Sequence, residues 1–118
     1  MDTPISDLQR KVASFVHERN WEKFHTPKDL ALSIAVESAE LLELFQWKNN
    51  TEIRGLLNDA KYRNRIEEEM ADILIYILIL SNTLNTDLSH AVLQKIQTNK
   101  NHYPVQKSKG KATKYTEL

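Results

Sequence analysis

Apolar residues recur at spacings of three and four along most of the chain, which is the period of amphipathic helices. Leu8, Val12, Phe15 and Val16 predict a first helix from about Ser6 to Arg19. Leu30, Ile34, Leu41 and Leu44 predict a second, opening at Thr26 and continuing to about Trp47. Thr26 suits the cap, Pro27 the first helical position, and the Asp29 carboxylate can satisfy a free amide. The connection Asn20 to His25 carries two aromatics, Trp21 and Phe24. Asn49 and Asn50 break the pattern, and Thr51 to Asn58 reads as a short helix. Ile66, Met70, Ile73, Ile77 and Leu80 line a long helix from about Lys61 to Leu84. After a turn through Asn85 and Thr86, a last helix capped by Thr86 or Asp87 runs to about Lys100. Residues 104–118 read as an irregular basic tail.

The only interruptions by glycine or proline are Gly55, Gly110, Pro4, Pro27 and Pro104, so the expected fold is all-α. A compact bundle of about four main helices, one domain over residues 1–118, fits this length. Sixteen basic and sixteen acidic side chains cancel, which argues against an obligate nucleic-acid binder or a general membrane-surface binder. Without cysteine there is no disulfide framework, thiolate nucleophile or zinc–thiolate site. The first residues lack the apolar core of a secretion signal, so a cytoplasmic location is expected. Residues 73–80 are apolar on every side, but eight residues fall well short of the roughly 20 that span a bilayer. Such a run calls for burial against both the chain's own core and another subunit, and it predicts an oligomer.

Candidate chemistry comes from two acidic pairs. Glu37 interrupts the apolar stripe of the second helix, and Glu40 lies one turn beyond. Glu69 and Asp72 repeat that spacing on the long helix, with Tyr76 one turn further. A carboxylate among leucines is costly to desolvate unless something positive neutralises it. Four carboxylates meeting between helices would repel, and protons or cations relieve the repulsion. Hard divalent ions take such oxygen ligands, and Mg2+ accepts a few carboxylates together with substrate phosphates. The competing reading is a solvated or salt-bridged face. No histidine belongs to either pair, which disfavours zinc or di-iron. Trp21 and Trp47 can stack on a base or fill helix junctions. His25 can donate to a ligand or to the backbone. Lys100, Lys107, Lys109, Lys111 and Lys114 can solubilise the chain or close over phosphate.

The segment from Trp21-Glu-Lys-Phe-His25 through Glu37-Ser-Ala-Glu40 to Trp47 resembles the all-helical MazG-type nucleotide pyrophosphohydrolases, closest to the short dCTP pyrophosphatase branch. Glu68-Glu69-Met-Ala-Asp72, the stretch Lys95 to Pro104 and the ending Lys114-Tyr-Thr-Glu-Leu118 are similar to that branch too. Where relatives often carry glycine beside the first pair, this chain has Ser38 and Ala39, which still permit close helix packing. The resemblance implies an oligomer, tetramer favoured over dimer, that hydrolyses nucleoside triphosphates between the α and β phosphates. It implies Mg2+ held by Glu37, Glu40, Glu69 and Asp72; a carboxylate not fully committed to metal, Glu37 or Glu40, is then expected as the proton acceptor. It places Trp21, His25 and Trp47 around the base, Asn99 and Tyr103 near the phosphates, and Lys114 as a phosphate contact. A dCTP or modified-dCTP substrate and a house-cleaning role follow from the same likeness. The rivals are a noncatalytic helical interaction protein and a dUTP- or dUDP-type phosphohydrolase.

Overall fold

The computed structural model describes residues 2–118 and is all-α, with no strand among them. The helices are α1 (Ile5–Glu18), α2 (Pro27–Glu43), α3 (Asn50–Leu56), α4 (Ala60–Thr83), α5 (Leu88–His102) and the single turn α6 (Val105–Ser108). Short 3-10 turns cover Glu22–Phe24 and Tyr115–Glu117. No helix among the described residues is long and apolar enough to cross a membrane. The chain divides into two units, one ending at Thr86 and one spanning Asp87–Leu118.

In the first unit α4 is the central strut, packed most extensively by α2 and then by α1. Val16 of α1, Leu30 of α2 and Ile79 of α4 meet as a buried cluster, with Val12, Tyr76 and Leu80 against it. The C-terminal half of α4 is tied down by polar contacts as well. Gln9 Nε2 donates to Ser81 Oγ at 2.8 Å and to the Thr86 carbonyl at 3.1 Å, and Asn82 Nδ2 donates to the Gln9 carbonyl at 3.0 Å. Ser81 is buried and donates in turn to the Leu78 carbonyl at 2.7 Å. These bonds lock α1 to α4 in one register.

Helix starts follow the expected caps. Thr26 Oγ1 accepts from Asp29 N at 3.1 Å, and Asp87, rather than Thr86, caps α5 by accepting from His90 N at 3.0 Å. The second helix ends four residues before Trp47, a correction to the expected boundary. Leu44 N and Phe45 N bond to carbonyls three residues back, Leu41 and Leu42, which tightens the last turn. The Leu44 carbonyl is claimed by the buried Tyr62 hydroxyl of α4 at 2.6 Å. Trp47 then adopts a left-handed φ of 66° that no continuing helix allows.

The second unit is α5 and the segment after it, which is less irregular than its composition suggests. Tyr115 stacks on His102 with centroids 4.1 Å apart and meets Tyr103 edge-on at 5.8 Å. The segment therefore closes on the end of α5, with Lys107, Lys109, Lys111 and Lys114 inside the loop.

Candidate metal and nucleotide site

The packing of α2 on α4 brings three acids together. One carboxylate oxygen each from Glu37, Glu40 and Glu69 lies within 4.8 Å of the others. Glu37 and Glu69 are half-buried and Glu40 is exposed. Asp72 is outside that converging trio, but its negative charge acts on both Glu37 and Glu69.

Crowding acids resist ionisation. Glu37 is pushed up from 4.5 to about 7, by burial first, then by the neighbouring Glu40 carboxyl and the charge of Asp72. Glu69 is also raised, by burial first and then by the charge of Glu40.

The salt-bridged reading of these acids does not hold. Among the described residues none of the four has an ion-pair partner, whereas Asp7, Glu18 and Glu22 all do. Glu37 Oε2 and Glu69 Oε2 are buried with no hydrogen-bond partner. Orphaned buried anionic oxygens are rare in folded proteins because each costs the desolvation of its charge. An all-oxygen, all-carboxylate donor set with unsatisfied atoms fits a hard divalent cation and is a poor match to soft metals.

The remaining sequence-predicted residues belong to other elements. Trp21 follows α1 and lies edge-to-face with Phe15 at 5.7 Å. Trp47 is 91% exposed on its left-handed turn. His25 precedes α2; its Nδ1 is buried without a partner, and the residue lines an open cleft of about 560 Å³ with Val16, His17, Glu22, Ile79 and Asn82. The cleft and the acids share one face of α4, since Asp72, Tyr76, Ile79 and Thr83 follow at four, three and four. Asn99, Tyr103 and Lys114 belong to the second unit: Asn99 accepts Tyr103 N at 2.8 Å near the end of α5, and exposed Lys114 opens the last 3-10 turn. Two contributors were not anticipated. Phe15 and Arg19 hold the Trp21 ring, and their i,i+4 spacing at the end of a helix is the signal that could have found them.

Fold and site together define an all-α protein with a cluster of three carboxylates between α2 and α4 whose donor set suits a divalent cation. The MazG-like family profile matches residues 32–118. The chain is 44% identical over 114 residues to dCTP pyrophosphatase 1 of Mus musculus, covering 97% of this chain and 67% of that protein. Against dCTP pyrophosphatase 1 of Homo sapiens the identity is 40% over the same shares. The crystal structure of a pyrophosphatase from Archaeoglobus fulgidus superposes with a TM-score of 0.77 at 39% identity, covering 88% of this chain and 95% of that one. The chain belongs to the MazG-like family, and it is an enzyme of that family, a nucleoside triphosphate pyrophosphohydrolase.

Proposed function

We propose that the chain hydrolyses dCTP or a modified dCTP with Mg2+, cutting between the α and β phosphates to release the nucleoside monophosphate and pyrophosphate. The observation that carries this reading is the convergence of Glu37, Glu40 and Glu69 with no positive partner among the described residues. The base preference draws on the relatives' names.

Glu37, Glu40, Glu69 and Asp72 would hold the cation. Bound Mg2+ supplies charge neutralisation at the phosphates and lowers the pKa of the attacking water. Glu37 or Glu40 accepts that water's proton. Lys114, with Asn99 and Tyr103, binds the phosphates and stabilises charge on departing pyrophosphate. Trp21, His25 and Trp47 surround the base. The apolar side chains left exposed on α2 and α4, among them Leu32, Val36, Met70 and Leu74, support a homo-oligomer, for which we propose a tetramer of single-domain chains. A cytoplasmic house-cleaning role goes with this chemistry.

The test is turnover of a panel of canonical and modified dNTPs with Mg2+, scoring pyrophosphate and orthophosphate separately. Pyrophosphate with dCMP, abolished by chelation, is expected. Orthophosphate as the product, or no preference for cytosine, overturns the reading. Glu40→Gln should lower turnover by roughly 10²–10⁴-fold while the helical content stays unchanged.

A further inference from the structure

The two tryptophans assigned to the base are held very differently. A ring that must stack on a ligand binds better when it is already immobilised, because less freedom is lost on binding. Trp21 is immobilised by the way α1 ends. Asn20 takes a left-handed φ of 54°, Asn20 N donates to the His17 carbonyl at 3.0 Å, and Trp21 N donates to the Val16 carbonyl at 3.1 Å. This pair of bonds is a Schellman C-cap, a motif that commonly brings the residue after the left-handed one against the last turn. Here the residue delivered is Trp21 and the one it meets is Phe15, edge-to-face at 5.7 Å and 79°.

Arg19 completes the bracket. Its guanidinium lies 3.9 Å from the Phe15 ring centroid and 6.0 Å from that of Trp21. Its Nη1 donates to the Phe15 carbonyl at 2.9 Å, while its own backbone N–H goes to Val16. Phe15 and Trp21 nevertheless stay 46% and 41% exposed, so the cluster fixes a ring that is still presented outward. Trp47, at 91% exposure, has no aromatic or cationic partner among the described residues.

We propose that Phe15 and Arg19 are positioning residues for substrate selection: they hold Trp21 as the preformed wall of the base site. The proposal rests on the reading that Trp21 stacks on the base, and the experiment separates the two. In the full chain carrying Trp47→Phe, Trp21 is the sole tryptophan. Quenching of its fluorescence by a non-hydrolysable α,β-methylene dCTP with Mg2+ tests the stacking, and no quenching at concentrations that calorimetry shows to saturate this variant removes Trp21 from the base site and the proposal with it. Given quenching, Arg19→Ala, Arg19→Lys and Phe15→Leu are each expected to raise KM for dCTP about tenfold with kcat within about twofold, because the guanidinium plane and the ring are what hold Trp21. Phe15→Tyr should keep the parent KM. Inhibition by inorganic tripolyphosphate, which has no base, should be the same in all of them. Parent KM in both Arg19→Ala and Phe15→Leu overturns the proposal, as does an equal loss of tripolyphosphate binding, which would mark a general disturbance of the fold.

Discussion

The two halves of α4 are built on opposite terms. From Leu78 to Ser81 its side chains are buried or half-buried, and the polar ones through Thr83 are answered by Gln9 or by the helix itself. Around Glu69 and Asp72 the same helix carries like charges without an ion-pair partner among the described residues, and a buried oxygen without a hydrogen-bond partner there. One helix thus spends its packing on a rigid end and uses that rigidity to keep an electrostatically unfavourable end in place. Sites of this kind lower the stability of the free protein, and the deficit is recovered when ligand binds.

The comparison is tested most severely by Glu37→Gln. Turnover should fall by roughly 10²–10⁴-fold, while the metal-free protein melts higher than the parent at pH 8, because one repelling charge is gone. A lower melting temperature in that variant would show that the acids support the fold. Leu78→Ala probes the other half. Leu78 is 2% exposed, so its truncation should cost about 2–5 kcal/mol by cavity formation, read by denaturant unfolding. Turnover per folded molecule and the thermal upshift with Mg2+ should survive; their loss would mean the two halves are not separable.

The smallest effect is in pH. The Glu37 carboxyl titrates near 7 in the folded chain against an ordinary 4.5, so between those values the native state holds a proton that the unfolded chain lacks. Its contribution to stability is complete below about pH 4.5 and disappears as pH rises through 7. The metal-free melting temperature should decline over that window more in the parent than in Glu37→Gln. The upshift with Mg2+ should grow over the same window, since cation and proton compete. Parallel pH profiles for parent and variant would contradict this account of Glu37.

Much of this was legible in the sequence because helices are written locally. The caps at Thr26 and Asp87 and the stripes of α1 and α2 follow from neighbours three or four residues away. On α4, by contrast, the core is met by Tyr76, Ile79 and Leu80, and Met70 of the expected stripe is exposed. Glu37 stood out because it interrupts an apolar stripe. The end of α2 was not legible, since the Leu44 carbonyl is diverted by Tyr62, 18 residues on in the chain. The two acidic pairs announced a meeting of α2 with α4, but that Glu69 rather than Asp72 joins Glu37 and Glu40 depends on the register of the two helices. The different holds on Trp21 and Trp47 arise from a left-handed Asn20 in one case and a left-handed Trp47 in the other, and composition distinguishes neither.

The stacking of Tyr115 on His102 has a consequence for the lysines it encloses. A free basic tail spreads its charge through a large volume, whereas a loop pinned at both ends keeps its ammonium groups at high effective concentration around one another. An anion arriving there meets several charges at once, and its attraction weakens steeply as salt shortens the screening length. Two aromatic rings thereby convert a run of dispersed lysines into a local ion-exchange surface.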